Sequence, residues 1–389
     1  MKVITDKLEI LKLIREEDGL ALEYASDVLK SDREIVLEAF KNDSRALYYA
    51  SDDLKSDSAF IMEVVMFDGG GLEYASEELK FDREVVLAAV SQDGRALEYA
   101  SEALQSDREV VLTALINSFN FMRSPLEYAS EDLKSDRVFI LEAVKKDAYA
   151  LDFASDALKS NREFVLEAVK INGNALEYLS ANLRADREIV LEAVKRIGST
   201  LEYASADLRA DREIVLEAVK SNGFALQYAS SELKSDREIV LEAVKCSGGS
   251  LEYASADLRA DREIVLQAVM VLGWALEYAS ADLRADREIV LEAIQNSDFI
   301  CVLQYASSVL QSDREIVLEA IKIDGSAFQY CTESLKKDEE FICEAYKLNP
   351  NIMKYMDTTT INENKRLQEL ENDYKSREVE HENEDILPF

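Results

Sequence analysis

The sequence predicts an all-α fold, an α-solenoid of about 14 two-helix repeats, and three observations carry the prediction. A tyrosine, once replaced by Phe153, recurs every 25 residues, as at Tyr24, Tyr49, Tyr74 and Tyr99. Only two steps depart from that period, Tyr99 to Tyr128 at 29 and Tyr278 to Tyr305 at 27. Two short apolar segments flank each beat, and all 12 glycines fall in the connector between them. A unit this small buries its apolar face only against its neighbours, so a fixed period of this length means a stack.

Ser235–Arg259 is a near-complete copy. The first segment of a repeat starts at Ser/Ala-Asp-Arg-Glu. In the copy at Asp186, Ile189, Val190, Leu191, Ala193 and Val194 cover roughly 200° of a helix, while Glu188, Glu192 and Lys195 share the other side. An arc that wide predicts burial on two sides. Ser31–Glu34 has the spacing of a capping box, but Ala replaces the serine at Ala185, Ala210, Ala260 and Ala285, where Asp must cap. Asp-Gly or Asn-Gly in the connector is expected to supply a left-handed residue that ends the helix. The second helix of the preceding unit, Ala175–Arg184, groups Leu176, Tyr178, Leu179 and Leu183 on one arc and is short enough for a partly 3₁₀ form. The end copies are degenerate, as caps of a stack are. The expected organisation is a solenoid over residues 1–357 and an acidic, largely disordered tail over 358–389.

Composition excludes more than it names. Formal charge is −33, from 78 acidic and 45 basic residues. The tail from Asp357 holds 10 acids and 4 bases, so −27 stays on the repeats. Such a chain repels phosphate backbones and anionic lipid, which argues against direct nucleic-acid binding and favours a protein partner with a basic surface. The single histidine, His381, lies in the tail, so the repeats offer no His-based acid–base or metal chemistry. We expect no enzyme, no cofactor and no metal. No apolar run reaches the ~18 residues of a membrane span, so no membrane insertion is expected. Four cysteines without a CxxC pair read as reduced, buried thiols of a cytoplasmic protein.

Leu-Glu-Tyr-Ala-Ser followed by Asp-Arg-Glu-Ile-Val-Leu-Glu-Ala-Val resembles an uncharacterised tandem helical-repeat family, domain of unknown function four-one-one-six, over about residues 6–357. The resemblance implies helical repeats and brings no known activity and no catalytic residues. The architecture is also similar to leucine-rich variant repeats, which implies an α-helix and a 3₁₀-type helix per unit. At the C-terminus, the glutamates of Glu378–Asp385 and the final Ile386–Phe389 resemble the secretion signals of type IV substrates of intracellular bacteria. That resemblance implies a translocated effector, secreted into a host cytosol.

The tyrosine column and the Asp-Arg column read as packing and capping. The position just before the second helix does not repeat: it runs through Arg45, Gly70, Arg95, Tyr149, Phe224 and Trp274. Both insertions fall in this same connector, bringing Phe119, Phe121 and Met122 in one case and Phe299 in the other. Phe119, Phe121, Met122, Tyr149, Phe224, Trp274 and Phe299 are therefore the candidate partner-binding residues of a non-enzymatic scaffold. The alternative is an acidic nucleic-acid mimic. At ~9–10 Å per unit the solenoid carries about one net charge per ~5 Å, against one per ~1.7 Å in duplex DNA, which is roughly threefold too dilute.

Overall fold

The computed structural model describes residues 3–16, 19–118, 124–297 and 302–372. The chain divides into two compact units, Met1–Leu183 and Arg184–Phe389. Both are helical stacks with a 25-residue period, and the described residues contain no strand. The class is the expected all-α solenoid. A lone parallel bridge joins Ile4 and Ala25.

A repeat holds three helical elements rather than two. In the second unit these are the ten-residue helix Arg237–Cys246, the 3₁₀ segment Gly248–Tyr253 and the short turn Leu258–Ala260. In the first unit the third element is mostly a four-residue helix, such as Asp52–Lys55. The sequence joined the last two elements because their apolar residues share an arc. They separate at Ala-Ser, where Ala50 and Ser51 are extended. The freed serine amide donates to the preceding repeat: Ser51 to the Lys30 carbonyl at 3.0 Å, Ser230 to that of Arg209 at 2.9 Å. One backbone rung thus links neighbouring repeats. At the N-terminus Ile4 plays the missing neighbour, its carbonyl accepting from Ser26 at 2.8 Å.

Each long helix buries a narrower stripe than its apolar arc predicts. Ile239, Val240, Ala243 and Val244 have no exposure, whereas Leu241 and its equivalent Leu191 are half-buried. Burying an Ile or Val side chain contributes about 1.5–3 kcal/mol, so this four-residue stripe, with Leu251 and Ala254 below it, is the core of a repeat.

The long helices that follow a full repeat are capped by aspartate, or once by Asn161, rather than by serine. The Asp236 carboxylate accepts from the Glu238 and Ile239 amides at 3.0 and 3.2 Å. The serine of the expected capping box belongs instead to the preceding turn, where the Ser31 hydroxyl donates to the Asp27 carbonyl. That is why alanine replaces it freely. A second Asp or Asn caps many of the 3₁₀ segments, as Asp93 does by accepting from the Arg95 amide at 2.9 Å.

The glycine column has a different cause from the one expected. No described glycine has a positive φ. A methyl group on Gly69 would lie 2.3 Å from the Ala89 carbonyl oxygen of the next repeat, and one on Gly223 would lie 2.4 Å from that of Ala243. These atoms are backbone and cannot step aside. Glycine is present because two repeats approach too closely for a side chain.

The Asp-Arg column bridges repeats. Arg212 donates through Nε to Asp236 at 2.9 Å and through Nη2 to Glu238. Three described cysteines are free thiols, but only Cys331 and Cys343 are buried; Cys246 is exposed. Burial pushes the Cys331 thiol up to about 11. Beyond the repeats, residues expected to be largely disordered are helical as far as 372, including Thr358–Glu363. Leu367 is fully buried there, and its amide donates to Asn364 at 2.9 Å. The acidic run Glu378–Phe389 and His381 lie outside the described residues.

Candidate functional site

The 3₁₀ segments, whether or not a side chain caps them, place the variable residue one position before a buried alanine or its substitute. The variable side chain therefore emerges beside the tyrosine four residues on. Among the described repeats this produces an edge where tyrosine, variable residue and the glutamate of Leu-Glu-Tyr lie together.

In the second unit Phe224 and Trp274 come together. From the Cβ position of Gly249, Phe224 Cζ lies 3.2 Å away and Trp274 Cη2 3.0 Å away, so both rings close over the connector of the repeat between them. Phe224 meets Tyr253 edge-on at 6.4 Å, and Trp274 meets Tyr278 at 5.9 Å. All four rings are half-buried. Burial first, then the Glu252 carboxylate, pushes the Tyr253 hydroxyl above its ordinary pKa; burial followed by Glu252 and Glu277 does the same for Tyr278. The result is an apolar patch with carboxylates at its rim.

Tyr149 belongs to the first unit. It meets Phe153 edge-on at 5.0 Å and Tyr178 at a tilt at 5.3 Å, and with Leu115, Pro125, Asp147 and Glu177 it lines a depression of about 420 Å³. Phe119, Phe121, Met122 and Phe299 lie outside the described residues. The tyrosine column is less buried than a core residue would be: Tyr24 and Tyr355 are exposed and the members between them are half-buried.

One group escaped the sequence reading. A second depression, about 500 Å³, opens on the same edge of the first unit and is lined by Tyr74, Tyr99, Tyr128, Glu73, Asp68 and Gly70 among others. The signal was present in the variable column, where Gly70 stands between Arg45 and Arg95. A glycine among varied residues carries no chemistry of its own, so only its place between two arginines marks it.

A family model described as domain of unknown function (DUF4116) matches in tandem over residues 6–55, 57–105, 82–124, 107–159, 161–209, 211–259, 261–311, 286–332 and 313–359. The chain belongs to this family. Each longer DUF4116 match spans two structural repeats: 211–259 holds the long helices Arg212–Ser221 and Arg237–Cys246. No curated protein matches the chain. The DUF4116 description assigns no activity. No helix among the described residues is long and apolar enough to cross a membrane.

Proposed function

We propose that this chain is a non-enzymatic protein-interaction scaffold whose connector edge binds a protein with a basic surface. The supporting observation is the patch around Gly249: Phe224 and Trp274, from two repeats, cover one connector beside Tyr253 and Tyr278, with Glu252 and Glu277 near the rings. Half-buried aromatics are the residue type that anchors interfaces. The surrounding negative charge steers a basic partner toward them, so arrival and residence depend on different residues.

Selection of a displayed peptide library on the whole chain tests this reading. Enriched sequences are expected to be basic. Trp274→Ala and Phe224→Ala should keep the helical circular dichroism signal but release the selected ligands faster, whereas added salt should slow association. If both variants bind normally while charge reversal at Glu188 and Glu192 abolishes binding, the recognition surface is the helix face and the edge is wrong. The translocated-effector reading rests on Glu378–Phe389 alone and has its own test, loss of secretion on deleting residues 371–389.

A further inference from the structure

In the first unit the 3₁₀ caps offer an internal comparison. The residue two positions after the cap aspartate is Arg45 at Asp43 and Arg95 at Asp93. Each arginine folds back on its own cap: Arg45 Nη2 lies 2.6 Å from Asp43 Oδ2 and its Nε 3.1 Å from Oδ1. For Arg95 and Asp93 the closest distances are 2.7 Å from Nη2 and 3.0 Å from Nε. The repeat between them carries Gly70. Asp68 Oδ1 accepts the Gly70 amide at 2.9 Å; among the described residues no arginine or lysine forms an ion pair with its carboxylate, whose charge is felt by Arg95 at longer range. The position that a guanidinium fills in the repeats before and after is open here, in the depression of about 500 Å³.

We propose that this depression binds an arginine side chain of a protein partner, its guanidinium taking on Asp68 the place that Arg45 takes on Asp43. The walls suit that ligand. Tyr74, Tyr99 and Tyr128 present ring surface, which attracts a cation and stacks on a planar guanidinium. Glu73 and Glu98 add negative charge, while the guanidinium of Arg95 is already held by Asp93. A guanidinium matches a carboxylate with two parallel donors, which an ammonium cannot do, so arginine is preferred over lysine. The two internal pairs also show that the site stays accessible, since the Arg45 and Arg95 side chains are 69% and 56% exposed.

This inference rests on the reading of a basic partner and names the group recognised. The probe is the peptide acetyl-Gly-Ser-Arg-Ser-Gly-amide, with lysine and citrulline versions, titrated against the whole chain by saturation-transfer NMR. Citrulline keeps the shape of arginine without its charge. The expected order is arginine, then lysine, with no transfer to citrulline. Gly70→Arg supplies the guanidinium from within and should weaken the arginine peptide at least about tenfold, as should Asp68→Asn. Gly70→Arg should fold, because the atoms nearest a Cβ at Gly70 belong to the Asp68 side chain and adjacent connectors already carry arginine. Ser231→Arg, the same charge change at an exposed site in the second unit, should alter binding by less than about twofold. Equal losses from Gly70→Arg and Ser231→Arg would reduce the effect to net charge and overturn the site. So would equal binding of the three peptides, or none by the wild-type chain. A library ligand lost by Trp274→Ala but kept by Gly70→Arg also rejects this pocket, while leaving the scaffold reading in place.

Discussion

The two units share one period and differ in where their arginines go. In the second unit Arg187, Arg212, Arg237 and Arg262 each bridge to the capping aspartate of the next helix and to the glutamate two residues further on. In the first unit Arg33, Arg108 and Arg137 meet Phe60, Phe139 and Phe164, lie over those rings at 5.4, 5.6 and 5.6 Å, and reach Glu63, Glu142 and Glu167, while Arg33 and Arg108 stand 3.9 and 3.8 Å from the cap aspartates Asp57 and Asp136. The exceptions locate the cause. Arg83, facing Val110, pairs as in the second unit, and Arg314, facing Phe341, pairs with Glu344 as in the first. The distance to the cap follows one apolar side chain in the next helix. A ring gives the guanidinium a face to lie on and leaves the cap aspartate 3.6–3.9 Å away. A β-branched residue lets Nε close to about 3 Å, except at Arg287, which spans the second insertion and pairs with Glu315.

The largest expected effect breaks one unit and spares the other. Ile239→Ala removes a fully buried side chain and should cost about 2–5 kcal/mol. Since contacts are nearest-neighbour, hydrogen exchange should quicken around residues 212–271 while protection in the first unit is unchanged. Protection lost equally in both units would contradict this. Next comes Gly223→Ala, whose new methyl meets backbone; urea unfolding should show a loss of about 1–3 kcal/mol. Ala148 already occupies the matching position in the first unit, so Ala148→Gly should shift the midpoint by less than about 1 kcal/mol.

Smaller effects sharpen the contrast in arginine use. Phe139→Ile should draw Arg108 in from its present 3.8 Å to the close pairing with the Asp136 cap seen at Arg83 and Asp107. In a double-mutant cycle the coupling of Arg108 to Glu142, about 0.5 kcal/mol or less, should then vanish. The pH dependence is smaller still. The Arg237 guanidinium holds the Asp261 carboxyl below its ordinary pKa. A depressed carboxylate pKa contributes stability above the unfolded value of about 4, and that contribution is lost as pH falls through the folded value. Arg237→Gln should thus be less stable than wild type at neutral pH and approach it in acid. A gap that persists at pH 2 would mean the arginine stabilises by packing rather than by charge.

What the sequence made legible follows from how local each cause is. The period, the acidic helix starts and the Ile-Val-Ala-Val stripe are short-range patterns, and they led to the observed class. The break at Ala-Ser was hidden because the serine amide is satisfied by a carbonyl 21 residues back, as with Ser51 and Lys30. The glycine column was visible but its reason was not, since the obstructing atom sits in the next repeat. At the edge, Phe224 and Trp274 stood out by type, whereas Asp68 matters for an arginine it lacks. A missing side chain is legible only when neighbouring repeats show what belongs there.

The backbone rungs also explain how the chain tolerates its two insertions. Across the first insertion Ser130 still reaches Gln105, and across the second Ser307 still reaches Arg284, so the separation grows from 21 residues to 25 and 23 while the bond is kept at 3.1 and 2.8 Å. In the sequence the extra residues fall between the long helix and the 3₁₀ segment, and beyond them the stack resumes in phase. The connector is therefore an editable joint: a loop of new sequence grafted there changes what the edge displays without changing the repeats that display it.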